Sequence, residues 1–395
     1  MAHIDEIFSR YSVSQQANLL DLFEAPPKEL DGHPRRHLRV ASINAGAHWP
    51  RHIDLFDDTD GDSDRYSLPV KCVKFNDVVV TPSGFVVADD CFIYDTNWIT
   101  PFWTQGRGVR SLPNRLKRNG IYSLDPIAQE VIFVEPSKME EVSDPVFLFN
   151  SYHGVANFAH FMHDTLVQVP TFLELKARVH NITPILCSEE PRFNYGPMSV
   201  LFGLCTGYDS SEGASVWSKR KFYRIKELYV PTLHFDPFNR LVSSQAARRL
   251  YATLRLALAA VPTGEGKHIY ISRSDSIRGK GGREGIVSNM SGLQQMLKDR
   301  GFVSVEASKL DAFEYISFFK EGRIFMGIHG AGLLNCLLSP RARLIEIATP
   351  HIWGTDSLYV FSKAAGIPSE SVRTDPRTDC LDLNILEKYI DEFTI

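Results

Sequence analysis

The sequence has few of the features that mark secreted proteins, membrane-spanning proteins or proteins with a structural zinc site. Its six cysteines are scattered over 395 residues, and no two of them form a Cys-x-x-Cys pair. That spacing excludes a zinc ribbon and is typical of a reducing compartment. No stretch approaches the ~18 consecutive apolar residues that a membrane-spanning helix needs. The first residues, Met1–Glu6, lack the basic and apolar regions of a signal peptide, so we expect a cytoplasmic protein.

An excess of positive charge and the common nucleotide motifs are also lacking. The net charge is −4 and the isoelectric point is about 6.4, whereas nucleic-acid binders carry a basic footprint, so we expect no nucleic-acid partner. The glycine-rich loops contain neither a GxxxxGK[ST] loop nor a GxGxxG strand–helix unit with an acidic partner. These absences argue against kinases and dinucleotide-dependent enzymes, and we expect no cofactor.

The pattern of apolar residues indicates an α/β protein. A chain of 395 residues favours two domains. Short β-rich runs between residues 70 and 95, joined by turn residues, predict an antiparallel meander. From Val131 onward strands alternate with helices, which predicts parallel strands covered on both faces. We expect a first domain over 1–235, a Rossmann-like second domain over 236–370, and a final segment, 371–395, whose helix (Leu381–Phe393) packs back on the first domain.

The stretch Arg323–Ala348 combines a buried strand, a glycine turn, a short helix and a second strand. The turn and the elements after it contribute His329, Gly330, Ala331, Gly332, Asn335 and Glu346. Glycine lets backbone approach a ligand closely, and a helix N-terminus directs amide groups and a dipole towards an anion. The stretch alone is equally compatible with a plain strand–helix connection.

A second glycine-rich loop follows a predicted strand that ends at Ser272. It carries four cationic side chains, Arg273, Arg278, Lys280 and Arg283. Guanidinium groups are suited to bidentate recognition of phosphate. Loop charges are commonly only solvated, but ligands of parallel sheets bind at the carboxyl ends of strands, where this loop lies.

Polar residues share one face of a predicted helix that runs from Asn157 to about Val179. Asn157, His160 and Asp164 stand at helical spacing on that face, with His163 nearby. An imidazole and a carboxylate one turn apart suit proton abstraction. Two alternatives stay open: a helix cap with histidines in satisfied core positions, or a metal site formed by His160, His163 and Asp164.

The three motifs together resemble glycosyltransferase family 61, the DUF563-type proteins that include capsular-polysaccharide enzymes. The resemblance covers roughly residues 150–350. It is carried by the segments Asn157–Asp164, Ser272-Arg273, His329–Asn335 and Leu344–Ile347. Phe161 replaces the tryptophan that the family usually has beside the helix histidine.

The resemblance implies a GT-B-like pair of Rossmann-type domains and an inverting, metal-independent transfer from a nucleotide sugar, UDP-linked in our expectation. It implies Asp164 as the base for the acceptor hydroxyl, supported by His160 and Asn157. Donor binding would fall to Arg273, Arg278, Lys280, Arg283, His329, Gly330, Ala331, Gly332, Asn335 and Glu346.

The expected partners are a nucleotide-sugar donor and an oligosaccharide or lipid-linked glycan acceptor, with peripheral membrane association left open. Two other functions stay open. One is a metal-dependent phosphoesterase built on His160, His163 and Asp164, and the other is a non-catalytic protein that binds a nucleotide or a glycan.

Overall fold

The structure is a computed structural model of the chain. The residues it describes are 34–42, 52–54, 71–82, 84–89, 91–94, 117–118, 120–125, 130–149, 158–187, 196–208, 215–217, 221–232, 234–236, 241–262, 264, 266–273, 284–349 and 357–394.

The first half of the chain forms a twelve-stranded mixed sheet in the order β11-β10-β9-β12-β3-β4-β5-β1-β7-β6, with β2 also paired to β3 and β8 to β12. Its strands are β1 (Arg35–Ser42), β2 (His52–Asp54), β3 (Lys71–Val80), β4 (Val86–Ala88), β5 (Cys91–Tyr94), β6 (Ile121–Asp125), β7 (Glu130–Val134), β8 (Glu140–Val142), β9 (Val146–Phe149), β10 (Thr183–Cys187), β11 (Ser215–Trp217) and β12 (Tyr223–Pro231). A separate short hairpin pairs β13 (Phe235–Asp236) with β14 (Leu241–Val242).

The predicted meander is present as the antiparallel run β3-β4-β5. It is not an isolated addition, because β3 also pairs along its length with β12. Through β12 the meander continues into the parallel strands β9, β10 and β11. β9 is buried at every position, as expected for an apolar strand covered on both faces.

The second half of the chain forms a five-stranded parallel sheet in the order β16-β15-β17-β18-β19. Its strands are β15 (Lys267–Ile271), β16 (Phe302–Val305), β17 (Gly322–Ile328), β18 (Arg343–Ala348) and β19 (Ser369–Arg373). Helices connect the strands, which confirms the predicted α/β class with a parallel sheet in the second half. Two α/β units, one in each half of the chain, agree with the expected GT-B-like pair. The predicted domain boundaries stay a prediction.

The α-helices cover the sheets. They are α1 (Phe158–His160), α2 (Val169–Lys176), α3 (Gly196–Thr206), α4 (Ser244–Ala257), α5 (Met290–Asp299), α6 (Ala312–Lys320), α7 (Ser357–Ala364) and α8 (Leu383–Thr394). Glu284–Ile286, Ala307–Lys309 and Ala331–Leu338 form 3-10 helices. Among the helices described, none has the length and apolar character to cross a membrane.

The last helix packs on the second sheet, so the prediction that it returns to the first domain is wrong. Leu386, Ile390 and Phe393 form its buried stripe. They share a hydrophobic cluster with Ile324 of β17 and Ile345 of β18. The helix follows β19 in the chain and contacts both β19 and α5. Exposed ion pairs from Arg300 to the carboxylates of Glu387 and Asp391 lie beside this contact.

The two halves share a continuous apolar core. Phe158 and Phe161, from the helix of the first half, belong to the same buried cluster as Leu333 and Leu337 of the second. The ring of Phe158 also packs edge-on against Tyr315 of α6, with 5.7 Å between centroids. Burial of large aromatic side chains between the halves fixes the helix that carries His160 and Asp164 against the second unit.

Candidate functional site

The helix that carries the candidate proton-transfer residues is irregular. It begins as α1, becomes π-helical over Phe161–Thr165 and 3-10 helical over Leu166–Gln168, and regains α geometry in α2. Pro170 has no N–H to offer the carbonyl of Leu166, which helps to explain the break before α2. A π turn within an α-helix is uncommon and is frequently found at functional sites.

The π turn brings three titratable side chains together. His160 Nδ1 lies 2.8 Å from Asp164 Oδ2, and His163 Nδ1 lies 2.5 Å from Asp164 Oδ1. Both carboxylate oxygens therefore accept a hydrogen bond from an imidazole. His163 is buried against the ring of Phe361 in α7, whereas 34% of the His160 side chain is exposed. Because Nδ1 of His160 contacts Asp164, a substrate would meet this ring at Nε2.

The environment separates the pKa values of the three groups. For Asp164, burial alone would raise the pKa, but the adjacent His163 and His160 outweigh it and hold the carboxyl pKa well below its usual range. Burial opposes the charged form of His160, yet the charge and hydrogen bond of Asp164 prevail and raise its pKa. Burial dominates at His163 and lowers its pKa. Asp164 is thus an anion, and His160 is the more basic imidazole.

The same three residues have a donor set that a metal ion could use. One ligand atom from each of His160, His163 and Asp164 lies within 4.8 Å of the others. Two imidazoles and a carboxylate suit zinc, iron and other transition metals. In the arrangement described, however, the Nδ1 atoms of both histidines face the carboxylate as hydrogen-bond partners.

The second part of the candidate site is the turn that follows β17. A Cβ atom on Gly330 would lie only 2.4 Å from Nη1 of Arg273, so the absence of a side chain is what lets the guanidinium rest on this backbone. Gly332 is similarly constrained, with the Ile271 side chain 2.9 Å from its would-be Cβ. The sequence predicted that Arg273 and the glycine turn share a sheet edge, and the structure places them in contact.

The residues after the turn form a 3-10 helix, Ala331–Leu338, instead of an α-helix. The first amide groups of a helix have no acceptor within that helix, and the turn at which this helix begins is the one that Arg273 contacts. A cation and backbone N–H groups at one place are the elements of an oxyanion site.

Glu346 lies under this turn, in the middle of β18. Its side chain is 1% exposed, and Oε1 is hydrogen-bonded to Nδ1 of His329. Oε2 has no hydrogen-bond partner among the described residues. Buried carboxylate oxygens are normally satisfied, so this oxygen is a candidate acceptor for a ligand hydroxyl.

Asn335, predicted as a donor-binding residue, supports the turn from behind. It is fully buried, and its Nδ2 donates to the carbonyl oxygen of Gly332 at 2.8 Å. The structure therefore gives Asn335 a positioning contact, which a side chain amide makes well at the start of a 3-10 helix. Asn157, Arg278, Lys280 and Arg283 lie outside the described residues.

Glu284 is a buried carboxylate beside the site that the sequence interpretation missed. Its Oε1 accepts hydrogen bonds from the Ser272 hydroxyl at 2.7 Å and from the Arg273 backbone N–H at 2.8 Å. Glu284 thus ties residue 273 to residue 284, the two described ends of the arginine-rich segment. The sequence signal was an acidic residue directly after Arg283, in a segment with four cationic side chains and one other acid, Asp275.

The elements that carry the two parts of the site are in direct contact. α1 packs against the 3-10 helix Ala331–Leu338, and α7 packs against both that helix and α4. The carboxyl edge of the second sheet and the His160–Asp164 group therefore belong to one region of the molecule, held by the shared core described above.

Comparison with known proteins identifies this region. A family model described as Glycosyltransferase 61 matches residues 158–345, which include every described candidate residue except Glu346. No protein with a curated description matches the chain. Among solved structures, the heptosyltransferase WaaC of E. coli with ADP is similar at 10% sequence identity and a TM-score of 0.33, over 64% of this chain and 100% of that one. A TM-score this low supports no inference about ligand or mechanism.

Proposed function

Because the chain belongs to glycosyltransferase family 61 through residues 158–345, and is thus a glycosyltransferase, we propose how it transfers a sugar. In this proposal the donor is a nucleotide-diphosphate sugar, with UDP as the nucleotide, and the acceptor is a hydroxyl group of a glycan. Transfer proceeds with inversion and without a metal. The observation that carries the proposal is the contact between the Arg273 guanidinium and the backbone of Gly330.

The diphosphate of the donor occupies the turn after β17. Charge develops on the leaving diphosphate as the sugar departs, and fixed N–H donors with a cation stabilise that charge without reorganisation. Arg273 supplies the cation, and the amides of Gly330, Ala331 and Gly332 supply the N–H groups. Arg278, Lys280 and Arg283 add positive charge from the same segment of the sequence.

Glu346 binds the ribose of the donor nucleotide. Its Oε1 is engaged by His329, and its Oε2 is available within the described residues. A ribose hydroxyl donating to Oε2 would satisfy a buried oxygen that is otherwise costly. This contact fixes the donor while its diphosphate lies on the neighbouring turn.

His160 takes the proton of the acceptor hydroxyl, with Asp164 as its partner. The sequence interpretation gave that proton to Asp164, but an acid whose pKa is held far below neutrality is a weak base. Of the two groups, His160 is the stronger base, because its pKa is raised while that of Asp164 is held far below its usual range. Asp164 then orients the ring through Nδ1 and stabilises the imidazolium, as carboxylates do beside catalytic histidines.

The transfer is a single displacement. The acceptor oxygen attacks the anomeric carbon, the bond from that carbon to the diphosphate oxygen breaks, and the hydroxyl proton passes to Nε2 of His160. The electron pair of the broken bond leaves with the nucleoside diphosphate, which Arg273 and the turn amides stabilise. Attack opposite the leaving group inverts the anomeric configuration.

Incubation of the purified chain with a panel of nucleotide sugars tests the proposal. We expect one donor to be hydrolysed or transferred, UDP to raise the melting temperature, and Arg273→Gln to abolish that shift. An exposed arginine outside the site, replaced in Arg248→Gln, is the matched control. If no nucleotide sugar is bound or turned over and UDP leaves the melting temperature unchanged, the proposal fails.

A metal-dependent phosphoesterase is the second candidate, because three ligand atoms of His160, His163 and Asp164 lie within 4.8 Å of one another. Elemental analysis of the purified protein separates the two functions. Stoichiometric zinc, iron or manganese, lost in His163→Gln together with phosphoesterase activity, would support this candidate. UDP binding without turnover of any donor would instead favour a non-catalytic binding protein.

A further inference from the structure

A second strongly cationic region lies at the opposite edge of the second sheet, where its strands begin. β17 starts at Gly322 and β18 at Arg343, and both residues line a pocket of about 720 Å³. We call it the amino-edge pocket. Its charged lining residues are Arg255, Lys320, Glu321, Arg323, Arg341 and Arg343.

The cations of the amino-edge pocket outnumber its carboxylates five to one. The single acid, Glu321, is already paired with Lys267 at 2.6 Å. Lys320 is held by two backbone carbonyl oxygens at the end of α4, those of Leu258 and Val261. In the part of the chain that the structure describes, no carboxylate forms an ion pair with any of the four arginines.

The arginines are oriented without using up their donors. The guanidinium of Arg343 lies 5.4 Å from the ring centroid of Phe393, and that of Arg255 lies 5.9 Å from the ring of Tyr251. Stacking on an aromatic face leaves the N–H edge of a guanidinium open to an anion. Arg323 donates from one terminal nitrogen to the carbonyl oxygen of Thr394 at 3.2 Å. Arg341 is exposed, its backbone N–H donates to the Ser339 hydroxyl at 3.2 Å, and its guanidinium has no partner among the described residues.

We propose that the amino-edge pocket binds a phosphate-bearing anion. Like charges gathered in one pocket repel each other, and a bound oxyanion removes that repulsion. Arginine forks match the geometry of phosphate oxygens better than a lone ammonium does. The site differs from the proposed diphosphate site, because the seven residues of β17 separate the two edges by roughly 20 Å.

Thermal unfolding of the full chain in sodium phosphate, compared with sodium chloride at equal ionic strength, tests the proposal. An Arg273→Gln background removes the cation that contacts the Gly330 turn, so in that background the difference between the pocket variants and the control reports on this pocket. We expect phosphate to raise the melting temperature in that background. Arg341→Gln/Arg343→Gln should raise the half-effective phosphate concentration by about tenfold, since charged hydrogen bonds are lost.

Two further variants keep the result interpretable. Arg248→Gln/Lys298→Gln removes the same number of charges from exposed helix positions outside the pocket and should keep the full response. Arg341→Gln alone breaks no recorded side-chain contact, so it tests the pocket even if loss of the Arg343–Phe393 stack destabilises the double variant. If the pocket variants and the control respond equally, or phosphate acts no differently from chloride, the proposal is overturned.

Vesicle sedimentation identifies the source of the phosphate. Binding to vesicles that contain phosphatidylglycerol but not to pure phosphatidylcholine, lost in Arg341→Gln and kept in the control, assigns the pocket to a lipid headgroup. Stabilisation by inorganic phosphate without vesicle binding assigns it to a free phosphorylated ligand. Vesicle binding that the Arg341 variant leaves intact would show that the lipid is recognised elsewhere, and it would overturn a lipid role for the pocket.

Discussion

The site contains two carboxylate–imidazole pairs that differ in what each carboxylate can still do. Asp164 stands on an irregular helix and accepts hydrogen bonds on both oxygens, from His160 and His163. Glu346 stands in a regular buried strand, and among the described residues only His329 contacts its carboxylate, through one oxygen. A carboxylate whose two oxygens both accept hydrogen bonds can orient a neighbouring imidazole and favour its protonated form. A carboxylate with one oxygen left to accept a hydrogen bond can bind a ligand. In the proposed function, the first pair serves proton transfer and the second serves donor recognition.

Replacing Asp164 by asparagine should produce the largest effect. In Asp164→Asn the anion that orients His160 is gone, so we expect kcat to fall by about 10²–10⁴ while the donor KM changes little. Steady-state rates with the active nucleotide sugar, alongside a melting curve that confirms folding, measure this. Unchanged kcat would mean that the pair does not take part in the chemistry, and the contrast with Glu346 would lose its functional meaning.

The pH dependence of the reaction sharpens the same contrast. His160 must be neutral to accept a proton, and Asp164 raises its pKa, so kcat/KM should rise with pH through an apparent pKa above 6.5. Activity is lost as the pH falls below that value, because the imidazolium persists. In Asp164→Asn the residual activity should show its midpoint at a lower pH. A midpoint that is the same in both proteins would assign the titration to another group.

Glu346 should affect binding more than chemistry. Glu346→Gln keeps an oxygen for His329 but replaces the unpartnered oxygen with an amide group. We therefore expect the donor KM to rise by about tenfold with kcat nearly unchanged. Donor analogues with 2′-deoxyribose or 3′-deoxyribose, each measured with the wild type and with Glu346→Gln, complete a double-mutant cycle. If the contact exists, one of these analogues should be impaired with the wild type and no further impaired with the variant.

The smallest effect is expected at Glu284, which acts through Arg273. Glu284→Ala leaves the Arg273 amide and the Ser272 hydroxyl without their shared acceptor, and we expect a threefold to tenfold rise in donor KM, from about one lost hydrogen bond. Glu284→Gln retains an acceptor oxygen and should restore most of the affinity. If the glutamine variant is as impaired as the alanine variant, the negative charge matters more than the hydrogen bonds.

The second half of the chain could be predicted closely because its signals are local. Buried apolar runs separated by helical periods indicate β15, β17 and β18, and Asp311 with Glu314 forms a capping box that starts α6. The glycine turn and Arg273 could be placed at one sheet edge because parallel strands present their carboxyl ends together.

Features that depend on tertiary contact could not be predicted. The π turn at Phe161–Thr165 changes which histidines reach Asp164, and regular helical spacing gave His163 no place on the shared face. The role of Glu284 depends on its approach to the Arg273 amide, which spacing does not encode. Packing places α8 on the second sheet, and the amphipathic pattern of the helix alone does not indicate which of the two sheets it covers.

The contact between Arg273 and Gly330 has a consequence for when the enzyme becomes competent during folding. Arg273 follows β15 and Gly330 follows β17, so α5, β16 and α6 lie between these two residues in the chain. β16 pairs on the far side of β15, which means that the chain crosses over and returns before β17 can dock. The proposed diphosphate site therefore forms only after β17 pairs with β15, and such long-range pairing is slow in parallel sheets. A nascent or partly folded chain would have these residues without the contact between them. Under the proposed function, affinity for the donor would therefore report on completed folding of the second sheet.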